Sequence, residues 1–162
     1  MYKLPEVIDP WRYARQGRIL EGVLSLAGMA RLRPQVEEGS VEVHLAFGID
    51  ERHIPYMQGH FTARLRLPCQ RCLEPMALDI SQDISLGIVA SEAEIPRLGG
   101  SYEPLVAGGN LRLAEVLEDE LMLALPLIPK HPLEVCPARD YIGRRDQGSS
   151  SPFSVLSAYT KE

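Results

Sequence analysis

Two stretches of the chain alternate apolar and polar residues with a period of two. Over 41–49, Val41, Val43, Leu45, Phe47 and Ile49 share one face, with Glu42 and His44 on the other. Over 61–67, Phe61, Ala63, Leu65 and Leu67 oppose Thr62, Arg64 and Arg66. Because successive side chains of a strand point to opposite faces, both read as half-buried strands, and antiparallel pairing is expected. A third run, 76–88, places Met76, Leu78, Ile80, Ile84, Leu86 and Ile88 on one face and breaks at Gln82. It predicts a long strand or a strand with a bulge. Residues 18–26 predict a fourth, weakened by Gly22 in its middle.

Elsewhere the period changes to that of a helix. Residues 111–125 carry Leu113, Val116, Leu117, Leu121 and Ala124 as an apolar stripe, with Arg112, Glu115 and Asp119 facing away. Asn110 is the expected cap, and Pro126 followed by Pro129 stops the helix. Two short helices are predicted earlier. Asp9 caps the first, with Pro10 at its first position and Gln16 at its end; the second covers 28–33, ahead of Pro34. Neither is long enough to be stable without packing. The intervening stretch 91–110 is long for a loop, and such loops are commonly functional or mobile.

Strands followed by one main helix predict an α+β fold: an antiparallel, strongly twisted or barrel-like sheet with that helix and shorter ones packed on it. The expected organisation is one domain over 1–142, a flexible linker over 143–152 (Gly-Arg-Arg-Asp-Gln-Gly-Ser-Ser-Ser-Pro), and a short amphipathic tail over 153–162 with Phe153, Val155 and Leu156. A chain of 162 residues suits one domain with a real core. No apolar run approaches the roughly 18–20 residues of a membrane span. The N-terminus carries no basic region followed by an apolar run, so the cytoplasm is the expected compartment.

Charge narrows the function. The net charge of −5 is the wrong sign for a protein that grips nucleic acid over a broad face, since phosphate neutralisation supplies most of that affinity. Arg64, Arg66 and Arg71 lie near His60 in sequence and are the candidates for a local contact with RNA or an acidic partner. The same pattern also describes the solvated face of an edge strand.

Three cysteines make a disulfide framework an unsuitable reading, and reduced thiols the better one. Cys69-Gln70-Arg71-Cys72 follows a strand directly, and a two-residue spacer lets two thiolates turn toward one ion. His131 and Cys136 follow the main helix, so these four side chains are the candidate zinc ligands, with free thiols as the alternative. A redox role fits poorly, because the pair ends a strand rather than opening a helix. Glu120 falls inside the apolar stripe, unlike Glu118 and Asp119, so it is expected to be a structural carboxylate paired with a strand arginine. No phosphate-binding Gly loop, GxSxG or HExxH occurs, and no second titratable group accompanies Glu120 as general acid–base chemistry requires. Neither a catalytic site nor a small-molecule substrate is expected.

Several of these segments occur together in one known family. Cys69-Gln70-Arg71-Cys72-Leu73-Glu74-Pro75, Tyr102-Glu103-Pro104, the run Val116 to Pro126 (VLEDELMLALP), Ile128-Pro129-Lys130-His131 ahead of Cys136, and Ser151-Pro152-Phe153-Ser154-Val155-Leu156 resemble the YceD family, in order and across nearly the whole chain. Its members are described as large ribosomal RNA subunit accumulation proteins. The resemblance implies a non-enzymatic role in accumulation of 23S rRNA and biogenesis of the large subunit, with 23S rRNA or a pre-50S particle as partner. The acidic balance favours contact through a basic ribosomal protein. The alternative is a zinc-binding interaction module or metallochaperone that affects rRNA only indirectly.

Overall fold

The structure, a computed structural model, describes residues 4–141. The linker expected over 143–152 and the tail expected over 153–162 lie outside the described residues.

The chain opens with β1 (Val7–Ile8), α1 (Pro10–Gln16) and β2 (Ile19–Ser25). Asp9 accepts the Arg12 N–H through Oδ1 at 3.0 Å, and Pro10, which has no N–H to lose, occupies the first turn. Gly17 ends the helix in the left-handed region at φ 58°, a conformation that costs glycine least. Three long strands follow: β3 (Glu38–Ile49), β4 (Pro55–Pro68) and β5 (Pro75–Val89). Their residues alternate as expected, and β5 runs through Gln82 without a bulge, pairing it with the buried Phe61.

After β5 come β6 (Glu103–Val106), β7 (Leu111–Arg112) and α2 (Leu113–Ala124). The main sheet has the order β2-β3-β4-β5-β6, while β1 and β7 form a separate antiparallel pair. Pairing is antiparallel from β2 to β5, but β6 joins β5 in parallel. The fold is α+β as expected, with two corrections: the sheet is mixed and it does not close into a barrel. A parallel neighbour requires a crossover, and residues 90–102 provide it through a 3-10 stretch at Glu92–Leu98. The expected loop over 91–110 therefore contains an edge strand. Pro104, which cannot donate to a ladder, sits on that strand where one side needs no partner.

Two helix expectations also change. Residues 28–33 are not a helix; the chain makes a 3-10 turn at Leu26–Gly28 and then a series of turns that buries Met29 and Leu32. Asn110 does not cap α2, because Leu111 and Arg112 first pair with β1, and Arg112 takes the cap position.

The core forms where the inward faces of the strands (Val41, Val43, Leu45, Phe61, Leu65) meet Met29, Leu32, Leu113, Leu117 and Leu121. Each such side chain contributes about 1.5–3 kcal/mol on burial.

Among the described residues, the buried charged side chain of this core is Glu118, at 2% exposure. Its Oε1 accepts the backbone N–H of Arg31 at 2.7 Å and of Leu32 at 2.9 Å, and its Oε2 accepts Arg31 Nε at 3.2 Å. The carboxylate thus satisfies a turn that has no helix or strand to bond to. Burial alone would raise the Glu118 carboxyl. The N–H donors of Leu32 and Arg31, with the Arg31 guanidinium, outweigh burial and hold it below the usual carboxylate range. Ala114 lets this side of α2 come close: a Cβ added at Gly28 would stand 3.4 Å from the Ala114 Cβ.

Glu120, the carboxylate expected to pair with a strand arginine, is instead half-buried. It is pushed upward by burial and by the nearby Glu103 and Asp119 charges. The buried arginine-paired carboxylate is Glu118, and its partner comes from the 30–35 turns rather than from a strand.

Replacement of Glu118 by Ala leaves the buried Leu32 N–H and the part-buried Arg31 N–H without an acceptor and is expected to cost about 2–4 kcal/mol in a urea titration. Because the folded carboxyl is depressed, this stability is complete above the ordinary carboxylate value. It is lost as pH falls through the lower folded value. Glu118→Gln is expected to flatten that acid limb, and an unchanged limb would place the acid sensitivity elsewhere.

Candidate metal centre

β4 ends at Pro68 and β5 begins at Pro75, so residues 69–74 turn the chain at the end of the sheet. The turn is tied by the Cys69 N–H to the Glu74 carbonyl and the Leu73 N–H to the Cys69 carbonyl, both at 2.9 Å. Leu73 adopts φ 64°, which is uncommon for a side chain of this size. The local strain accompanies a geometry that points Cys69 and Cys72 the same way.

The segment after α2 comes back to this turn. Pro126, Pro129 and Pro132 punctuate it, and the Gln70 N–H donates to the Pro129 carbonyl at 2.8 Å. His131 follows, its N–H donating to Cys69 Sγ at 3.4 Å and its Nδ1 lying 3.4 Å from Cys72 Sγ. A 3-10 turn at Leu133–Val135 then delivers Cys136. The ligand atoms of Cys69, Cys72, His131 and Cys136 lie within 4.8 Å of one another. Cys69 and Cys136 are buried, and no disulfide joins the three thiols.

Tetrahedral zinc with Zn–S of about 2.3 Å and Zn–N of about 2.0–2.1 Å separates its ligand atoms by about 3.6–3.8 Å. The observed cluster is close to that size, and three sulfurs with one imidazole nitrogen is a donor set that zinc takes in structural sites. The electrostatics agree. Burial pushes the Cys69 thiol up, yet the backbone N–H groups of Cys72, His131 and Arg71, together with the Cys72 side chain, prevail and lower it to about 5. Cys72 is raised, first by burial and further by the neighbouring Cys69 and Cys136 sulfurs. Sulfurs crowded in this way repel one another as thiolates unless a cation lies between them. The four side chains expected from the sequence to be ligands are therefore brought together and fit one ion. The backbone link from Gln70 to Pro129, which joins the two segments before any ion is considered, has no side-chain signal in the sequence.

The three arginines proposed for RNA or partner contact lie on two elements, β4 and the cysteine turn. Arg64 and Arg66 lie on the outer face of β4, and each faces a carboxylate: Arg64 Nε to Asp79 at 3.0 Å, and Arg66 Nε to Glu37 at 3.3 Å. Arg71 sits apart in the cysteine turn, its Nη1 buried without a hydrogen-bond partner. His60 bridges Asp83 at 2.8 Å and Ser81 at 3.1 Å.

Register explains the pairing. One row across the sheet reads Glu21, His44, His60, Asp83, and another reads Ser25, Ser40, Arg64, Asp79. Among the described residues of these strands, the carboxylates of Glu21, Glu38, Glu42, Asp79 and Asp83 share this outer side with the guanidinium groups of Arg64 and Arg66, and Glu37, just ahead of β3, reaches it to pair with Arg66. A groove of about 600 Å³ crosses it, lined by Glu21, Val23, Glu42, His44, His60 and Thr62. The arginines were visible in the sequence, but their neutralisation depends on residues that only the register brings beside them.

Comparison with known proteins covers this region and beyond. Residues 57–156 match the family described as "Large ribosomal RNA subunit accumulation protein YceD". A protein of that name from Haemophilus influenzae (strain ATCC 51907 / DSM 11121 / KW20 / Rd) is 32% identical over 138 residues, covering 83% of this chain and 79% of its own length. No solved structure matches the chain.

The capacity of the four ligands is testable with cobalt(II), whose spectrum reports geometry. Added to metal-free protein, it is expected to give intense thiolate charge-transfer and tetrahedral bands that Cys136→Ser strongly reduces. Weak octahedral bands, or bands indifferent to Cys136→Ser, would show that the cluster does not hold the ion.

Proposed function

The chain belongs to the YceD family of large ribosomal RNA subunit accumulation proteins, and from that premise we propose that it acts without catalysis, in the cytoplasm, as a binding factor for a pre-50S particle that supports 23S rRNA accumulation. Contact runs through a basic ribosomal protein rather than through bare RNA. The observation that carries this choice is the outer sheet face, where six carboxylates stand against two arginines that are themselves ion-paired. A phosphate backbone would meet net repulsion there. A lysine- or arginine-rich protein surface would be attracted to it and guided in encounter. Direct RNA contact is left to Arg71, which is only part-buried in the cysteine turn.

In this proposal the Cys69/Cys72/His131/Cys136 cluster is a structural zinc site that pins the segment after α2 to the end of the sheet. No chemistry is routed through the ion. Its association with the sheet end also supports the second reading, a zinc-dependent interaction module whose effect on rRNA is indirect.

Affinity capture of the full chain from cells, with and without nuclease, separates these. The expected result is large-subunit proteins that remain after nuclease digestion, fall away as salt rises, and are lost in the double variant Glu42→Lys, Asp83→Lys. Capture abolished by nuclease would move the contact to RNA. Migration as free protein in cells, with normal 23S rRNA after deletion, would exclude the role in subunit assembly.

A further inference from the structure

Large apolar residues left in water are not scattered evenly over the described residues. Val7, Ile19, Ile49 and Val106 occur singly on separate elements, as surface hydrophobes commonly do. The others gather around the cysteine–histidine cluster. Leu73, at 74% exposure, follows Cys72, while Leu133 and Val135 lie between His131 and Cys136. Leu127, fully exposed, and Ile128 stand just before His131, and Met122 and Leu123, the latter at 77%, lie in the last turn of α2. The Gln70–Pro129 backbone bond holds the Leu73 turn against the segment that carries Ile128, so the exposed apolar residues of both segments rim the same end of the sheet. An apolar rim of this kind marks a surface that something covers.

We propose that the occupant is the chain's own C-terminal segment, residues 153–159, seated on this rim through Phe153, Val155, Leu156 and Tyr159. Three observations support this occupant. The described chain ends five residues after the last cluster cysteine, because Tyr141 closes the 3-10 turn Pro137–Tyr141 that follows Cys136. Residues 142–152 span at most about 36–40 Å when extended, which suffices for a segment returning to a surface close to its own point of departure. The sequence there is rich in Gly, Ser and Arg, and the apolar residues resume only at Phe153. The family match also runs on to residue 156, so it takes in Phe153, Val155 and Leu156 together with the cluster and its rim.

A tether of this length acts as a local concentration in about the millimolar range. Modest apolar contact is then enough to keep the segment seated. This arrangement is separate from the ribosomal reading and stands or falls without it.

The test uses the full chain with the photoreactive analogue benzoylphenylalanine at position 153, irradiated at low protein concentration and mapped by mass spectrometry. Cross-links within one chain to residues 122–135 or to Leu73 are expected. Leu127→Asp is expected to lower their yield about tenfold, since burying one leucine shifts an equilibrium by about that factor, whereas Ile49→Asp leaves it unchanged. Leu127 lies outside the core, so its replacement is expected to leave the far-UV circular dichroism of the same sample unchanged, which separates undocking of the tail from loss of fold. Cross-links between two chains would assign the rim to a second copy. Cross-links elsewhere, none at all, or a yield indifferent to Leu127→Asp would also overturn the proposal.

Discussion

The meeting of two segments at one end of the sheet is the constraint on which the candidate site depends. Residues 69–74 reach it as a tight turn between two long strands, and residues 129–136 reach it after a proline-stopped helix. Neither segment contains enough apolar burial to hold its own shape. Backbone bonds (Gln70 to Pro129, His131 to the Cys69 sulfur) bring them together, and four side chains then converge. Crowded thiolates at short range are costly without a cation, so the geometry that the backbone imposes is one in which a soft divalent ion would stabilise the deprotonated sulfurs.

The rest of the fold positions that meeting. α2 must leave the core at a fixed angle for residues 129–136 to arrive at the cysteine turn, and Glu118 fixes one side of the helix against the 30–35 turns. Pro126 ends the helix close to the needed point, while its neighbours Leu127 and Ile128 remain in solvent. The polar outer sheet face lies away from this core and carries a different property, a surplus of carboxylates distributed by register. The structure thus has a buried side that builds the cluster and an open side on which carboxylates outnumber guanidinium groups.

Much of this was legible in the chain. Strict alternation marks β3 and β4 because one face is buried and one wet, and Asp9-Pro10 marks α1 because capping is a local property. The four ligand candidates were visible because their residue types are few. What failed was non-local. β6 is four residues long, holds Pro104, and owes its place to a parallel crossover that no local pattern encodes. Asn110 had the chemistry of a cap, yet pairing of β7 with β1 moved the helix start past it. Glu120 fits an ideal stripe, but the turns at 30–35 pack on the Ala114 side of α2, and the buried arc widens to include Glu118. A helical wheel assumes that the partner lies opposite the apolar centre, and here it lies off to one side. The arginines of β4 were read without the carboxylates that adjacent strands deliver to them.

Cys69, Cys72, His131 and Cys136 join the two segments into one unit. Hydrogen exchange of the full chain, measured with metal retained and after chelation, tests it most directly. Residues 69–75 and 129–136 are expected to lose protection together on chelation, while the amides shared by β3 and β4 stay protected. Independent exchange of the two segments, or protection indifferent to chelation, would contradict the account.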